Sequence, residues 1–152
     1  MSNEHEEDFV EVKILGAVRK LLVVRVNEIL GDLEFPMPAI EFGEFAGVTA
    51  VSPAISLSNC ERSEKERIIR LDAYFLAITF SLPETPESEL HCYAYASAIC
   101  MALEEDSTLG GIVDRTVISG KKYVPPKKPN CGVGWEMVLT LRITVEGTVY
   151  AG

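Results

Sequence analysis

The side chains able to do chemistry are few, and their spacing serves none of the usual reactions. His91 and Cys92 are adjacent, but neighbours on a helix point about 100° apart and cannot act on each other as base and nucleophile. Cys60, Cys92, Cys100 and Cys131 form no CxxC pair, and none has a His or a second Cys at metal-ligand spacing. Cys92 and Cys100 fall on one expected helix, too far apart along it to bridge, so the four read as buried free thiols of a reducing compartment. Asp72, two residues after Arg70 on the polar face of an expected strand, has the makings of a tuned acid. An i,i+2 ion pair or an interface contact accounts for it better. His5 stands between glutamates in the acidic stretch from Met1 to Asp8, which reads as a loose, solvated tail. No GxSxG, P-loop, GxGxxG or HExxH occurs, and Gly132-Val133-Gly134 precedes a strand instead of opening a helix. These residues point away from an enzyme and imply no cofactor and no metal.

The whole chain narrows the classes further. Its 152 residues, 47% hydrophobic and 24% charged, suit one globular domain with a real core. A net charge of −9, from 14 Lys+Arg against 23 Asp+Glu, argues against a dedicated nucleic-acid binder and against an anionic membrane surface as partner. The acidic start lacks the basic segment of a signal peptide. The apolar run from Val10 to Leu30 is broken by Lys13, Arg19, Lys20, Arg25 and Glu28, so it does not span a membrane.

The stretch from Pro86 to Asp114 organises the elements. Thr85 is placed to cap a helix whose first turn holds Pro86, Glu87 and Glu89. Leu90, Tyr93, Ala94, Ser97, Ala98 and Met101 recur at helical spacing, and the small members of that stripe suit close packing on a sheet. Glu104, Glu105 and Asp106 crowd the negative helix end, where the helix should stop. Gly110-Gly111 then allow a reversal through positive φ.

Upstream, Phe9 to about Leu30 carries a helical stripe of Val10, Ile14, Val18, Leu21, Leu22 and Ile29; a strand across Leu21–Val24 is the rival local reading. Glu34 to Gly47 is a Pro- and Gly-punctuated connector with a short edge strand at Ile40–Phe42. Val48–Ser58 reads as a strand, Asn59–Glu66 as a polar turn, and Arg67–Leu82 as the longest strand. Ile69 and Leu71 point one way there, Arg70 and Asp72 the other. From Tyr74 to Leu82 both faces are mostly apolar, which calls for helices on both sides or a neighbouring subunit.

Downstream, Ile112–Ile118 reads as a strand, and Gly120–Asn130 as a projecting loop that gathers Lys121, Lys122, Lys127 and Lys128 among three prolines. A solvated tip and a docking element both fit it. Trp135–Glu146 closes the sheet, with Trp135, Met137, Leu139, Leu141, Ile143 and Val145 inward and Glu136, Thr140, Arg142, Thr144 and Glu146 outward. The class is α+β: a mostly antiparallel sheet of about four to five strands with two main helices packed on it, in the order α-β-β-β-α-β-β. Residues 1–8 form a flexible acidic N-terminus, and residues 9–152 form one domain.

Three features together resemble the tail terminators (minor tail or tail completion proteins) of long-tailed phages and prophages. They are the leading amphipathic helix with its Pro-rich connector; the strand ending in an apolar run, followed by a helix that exits through Asp106 to Asp114 with Thr108-Leu109-Gly110-Gly111; and the closing strand Gly134-Trp135-Glu136 through Val145. The resemblance implies a structural virion protein without catalytic residues. It would form a homo-oligomeric ring, usually a hexamer, that caps the tail tube and meets tube and head-tail connector proteins. DNA would pass through an acidic ring without specific binding. The protein would lie in the virion tail after assembly and in the host bacterial cytoplasm before it. Candidate assembly contacts are Arg70, Asp72, Tyr74, Lys121, Lys122, Lys127 and Lys128, with Gly110 and Gly111 as the structural turn. The alternative is a small-molecule binding domain or enzyme of hot-dog or ferredoxin-like type, with Asp72, Glu136 or His91 lining a cleft.

Overall fold

A computed structural model describes residues 9–43, 50–66 and 69–148 of the chain. The expected tail at 1–8 and the start of the strand expected from Val48 lie outside them.

The first helical rod is α1 (Val10–Leu21), a π-helical turn (Leu22–Val26) and α2 (Asn27–Gly31) in direct succession. Ile14, Val18, Leu22 and Val26 are fully buried along it, followed by Ile29 and Leu30. The connector then forms β1 (Ala39–Ile40), which pairs in parallel with β2 (Ala50–Val51). The Asn27 side chain holds this corner: its amide donates to the Val23 and Ile40 carbonyls, and its oxygen accepts from the Ile40 N–H.

The main sheet has β3 (Ala54–Glu66), β4 (Ile69–Pro83), β5 (Arg115–Val124) and β6 (Val133–Thr148) in the order β3-β4-β6-β5. All three pairings are antiparallel, so the expected α+β class with its antiparallel sheet and two main helical elements is the architecture found. β6 keeps the expected alternation: Met137, Leu139, Leu141 and Ile143 are buried, with Trp135 and Val145 half-buried against the core.

Four expectations need correction. Asn59–Glu66 is not a turn but the outer half of β3, paired with Ile69–Phe75. Residues 59–64 of this arm are all exposed, so no apolar alternation marks it. Lys121 and Lys122 lie within β5, not in the loop, which begins only after Val124. The long helix α3 (Ser88–Glu105) begins two residues late for a Pro86 start, and it buries a different face. Cys92, Tyr95, Ala96, Ile99, Ala102 and Leu103 pack inward, whereas Leu90, Tyr93, Ser97 and Met101 are exposed. The helix is apolar nearly all round, so spacing could not say which stripe the sheet would take. Fourth, of the four free cysteines only Cys92 is buried; Cys60 and Cys131 are exposed and Cys100 is intermediate.

The helices cover one face of the sheet. On β4 that face carries Tyr74, Leu76, Ile78, Phe80 and Leu82, all buried. The Phe80 and Tyr95 rings stack across it at 4.7 Å, and the Tyr95 hydroxyl donates to the Pro38 carbonyl at 2.6 Å. Phe75, Ala77 and Thr79 alternate with these residues on the opposite, open face and are half-buried.

Candidate functional site

Asp72 shares the helix-covered face with Tyr74, not a solvated polar face. It is 3% exposed. The Arg62 guanidinium grips it in a fork, Nε at 2.7 Å and Nη2 at 3.2 Å, and Arg70 Nε lies 3.4 Å away. Arg62 sits directly opposite Asp72 in the β3–β4 register. It was hidden in the sequence because its segment reads as a turn. Hydrogen bonding to Asp72 raises the Arg62 pKa.

Next along the face, Tyr74 donates to Glu11 of α1 at 3.3 Å. Burial, then the Glu11 charge, pushes the Tyr74 hydroxyl up to about 12. Burial and the nearby Asp72 charge likewise raise the Cys60 thiol. A tyrosine and a thiol held protonated beside a forked carboxylate tie α1 to the hairpin arm, and they present no activated nucleophile. Arg70, Asp72 and Tyr74 thus come together as a polar clasp.

The turn after α3 is built by its own side chains. The Asp106 carboxylate accepts from the Gly110 N–H at 2.8 Å and the Thr108 hydroxyl at 3.1 Å, and Thr108 Oγ1 accepts from the Gly111 N–H at 3.1 Å. Leu109, Gly110 and Gly111 have φ of 51°, 74° and 89°, so both glycines take the expected positive φ. Leu109 adopts it too while buried, a sparsely populated conformation for a branched residue. The acidic end of α3 is compensated by an interaction that spacing did not reveal. Arg25, in the π turn, holds Glu105 in a fork at 2.6 and 2.8 Å, and it lowers the Glu105 pKa.

Lys127 and Lys128 are exposed in the β5–β6 connection, which Glu84 pins at the end of β4. The Glu84 carboxylate accepts from the Asn130 N–H at 2.7 Å and the Gly132 N–H at 3.0 Å. The Gly132 and Asn130 donors hold the carboxyl below its ordinary range. At the start of β6 a Cβ on Gly134 would collide with the Pro83 carbonyl, which requires glycine there. No protein-family model matches the chain, and no curated protein matches it.

The three residues expected to line a common cleft lie apart. Asp72 is in the clasp, level with Val145. Glu136 accepts from Ser81 near the other end of the strands, beside the hollow under the lysine-bearing connection. His91 borders a separate shallow hollow with Met37, Pro38, Glu87 and Leu90. Among the described residues no group of three His, Cys, Asp or Glu is arranged to hold a metal ion.

Among the described residues no further strand pairs with either edge of the main sheet, and the helices pack on one face alone. β3 and β5 each have a strand neighbour on one side. The open face gathers Leu71, Phe75, Ala77, Val117 and Val138, all half-buried, around the buried Ala73. Both edges carry a bulge, between Leu57 and Asn59 in β3 and between Ile118 and Gly120 in β5. Bulges and charged residues are how sheet edges limit promiscuous pairing.

Proposed function

We propose that this chain is a ring-forming structural protein of a phage or prophage tail: a tail terminator that caps the tube and joins it to the head connector. The observation that carries this reading is a sheet whose own helices cover most of one face and, among the described residues, leave the other face and both edges for neighbours. An antiparallel sheet can leave one face to solvent, and the half-buried Leu71, Phe75, Ala77 and Val138 make this face one that a neighbouring subunit can cover.

Three further features support it. The Asp106–Asp114 segment and the Gly134–Val145 strand, which carry the resemblance to tail terminators, form the turn that ends α3 and the strand at the sheet's centre. The net charge of −9 suits a ring through which DNA slides, because like charges keep phosphates mobile. Lys127 and Lys128 project on a connection that Glu84 holds in place, a suitable contact for an acidic surface on a tube or connector subunit.

Native mass spectrometry and negative-stain microscopy test the reading on the full chain at micromolar concentration, alone and with assembled tail tubes. A closed ring of about six copies, free or at a tube end, is the expected result. A protein that stays monomeric alone and leaves tube ends bare overturns it.

A further inference from the structure

We propose that copies of this chain join through their sheet edges, the first half of β5 in one copy pairing with the middle of β3 in the next. This inference gives the ring its joint and rests on that reading. Because all three pairings in the sheet are antiparallel, β3 and β5 run in opposite directions. When two copies stand side by side in the same orientation, the β5 edge of one therefore meets the β3 edge of the next as an antiparallel pair. Such a contact is heterologous, and it closes into a ring where its rotation divides the full circle.

The internal register fixes which residues meet. Arg115 lies level with Glu61 through Thr144 and Ala73, Thr116 with Cys60 through Ile143 and Tyr74, and Ile118 with Leu57 through Leu141 and Leu76. The β5 bulge falls just past Ile118 and leaves the first half of that strand regular, whereas the β3 bulge falls between Leu57 and Asn59, inside the paired span, so the junction absorbs one extra residue there. A level junction therefore sets Arg115 against Glu61 on the open face and Ile118 against Leu57 on the covered face. Opposite charges and apolar pairs directly across an antiparallel ladder stabilise it. Two β5 edges meeting about Ile118 would instead place Arg115 against Lys121, a repulsive pair.

The covered side of the β5 edge has room for the incoming side chains. A groove of about 350 Å³ runs there between β5 and α3, lined by Leu103, Glu104, Thr116 and Ile118 among others. Thr116 is 2% exposed, and its hydroxyl finds no hydrogen-bond partner. An orphaned buried hydroxyl is costly. At the proposed junction the exposed Cys60 of the next copy stands opposite it, with a thiol available as partner.

Disulfide trapping tests the joint. In a chain carrying Cys60→Ser and Cys131→Ser, Glu61→Cys and Arg115→Cys are introduced together and separately. Residues directly opposite in an antiparallel pair have Cα atoms about 4.5–5.5 Å apart, within disulfide reach. The doubly substituted chain should give a ladder of covalent oligomers under mild oxidation. A mixture of the two single variants should give heterodimers only. A charge-reversed pair provides a second arm: Glu61→Arg or Arg115→Glu alone should weaken self-association severalfold, and the two together should restore it. Melting curves matching the parent establish that each variant folds. Multi-subunit particles with no 61–115 crosslink, or a disulfide in the Glu61→Cys variant by itself, overturn this joint and leave the ring. Monomers with no crosslink at any concentration overturn both.

Discussion

The two faces of the main sheet share the same strands and hydrogen bonds yet differ in what covers them. On the covered face, Leu76, Ile78, Phe80, Met137, Leu139 and Ile143 are at most 1% exposed and meet the stripes of α1 and α3. On the other face Phe75, Ala77, Thr79, Val138 and Thr140 reach only partial burial, from their neighbours within the sheet. The covered face is large-on-large packing that closes within one chain. The open face is shallow and mixes Ala, Thr and Val with isolated charges, such as Arg142. A surface of that kind does not force collapse in the monomer, and it can accept a second surface without a large rearrangement.

Two phenylalanines on the same strand provide the largest contrast. Phe80→Ala empties a stacked core site and should cost about 3–5 kcal/mol. Phe75→Ala should cost less than about 1 kcal/mol in the monomer, because water already reaches that ring. Urea denaturation of both variants measures the difference, and equal losses would mean that the open face is covered within the chain. The clasp at the end of the covered face comes next. Asp72→Asn removes the charge that Arg62 and Arg70 hold, and it should cost about 2 kcal/mol. That is below the loss for a fully buried pair, because the Arg62 side chain is 62% exposed. An unchanged midpoint would show the clasp to be ornamental.

The smallest effect lies at the far end, at Glu84. Its folded pKa is lowered by the Gly132 and Asn130 N–H groups. The contribution is therefore present above the unfolded carboxyl pKa and is lost as pH falls through the folded one. The protection factors of the Asn130 and Gly132 amides, corrected for the intrinsic pH dependence of exchange, should fall as pH drops through the folded Glu84 pKa and be low at every pH in Glu84→Gln. Protection unaffected by either change would break the assignment of the pin.

Much of this division was legible in the residues. The alternation of β6 gives its inward face, with Met137, Leu139, Leu141 and Ile143 buried and Trp135 and Val145 half-buried at its ends, because a strand covered on one side leaves a period-2 record. The apolar run Tyr74–Leu82 named a strand with two apolar faces, and its covered set follows from parity alone. What stayed hidden had physical reasons. Residues 59–64 of the hairpin arm are exposed and meet α1 through the polar clasp, so nothing selects apolar residues on them. The packing face of α3 was misassigned because Leu90, Tyr93 and Met101 are as apolar as the stripe that the sheet buries. Of the candidate contacts, Arg70, Asp72 and Tyr74 proved to share one clasp. Lys121 and Lys122 separate from Lys127 and Lys128 because β5 continues past Gly120, where the sequence suggested a loop. The partners Arg62, Glu84 and Arg25 lie 10 to 80 positions from the groups they hold, and no local pattern records such distances.

The π turn at Leu22–Val26 bears on how much the chain's length can vary. Four residues advance an ordinary helix by about 400°, so buried side chains spaced by four drift about 40° around the rod at each step. Ile14, Val18, Leu22 and Val26 follow that spacing and yet are all fully buried, because the wider π turn winds the last step back. The rod therefore stores one spare residue where its buried side changes partner, between the stripe of α1 and the corner held by Asn27. Losing a residue within the turn would leave a plain helix of ordinary pitch, with Asn27 swung away from Ile40 and Arg25 away from Glu105. The insertion that looks like slack is what keeps the two ends of the rod in phase.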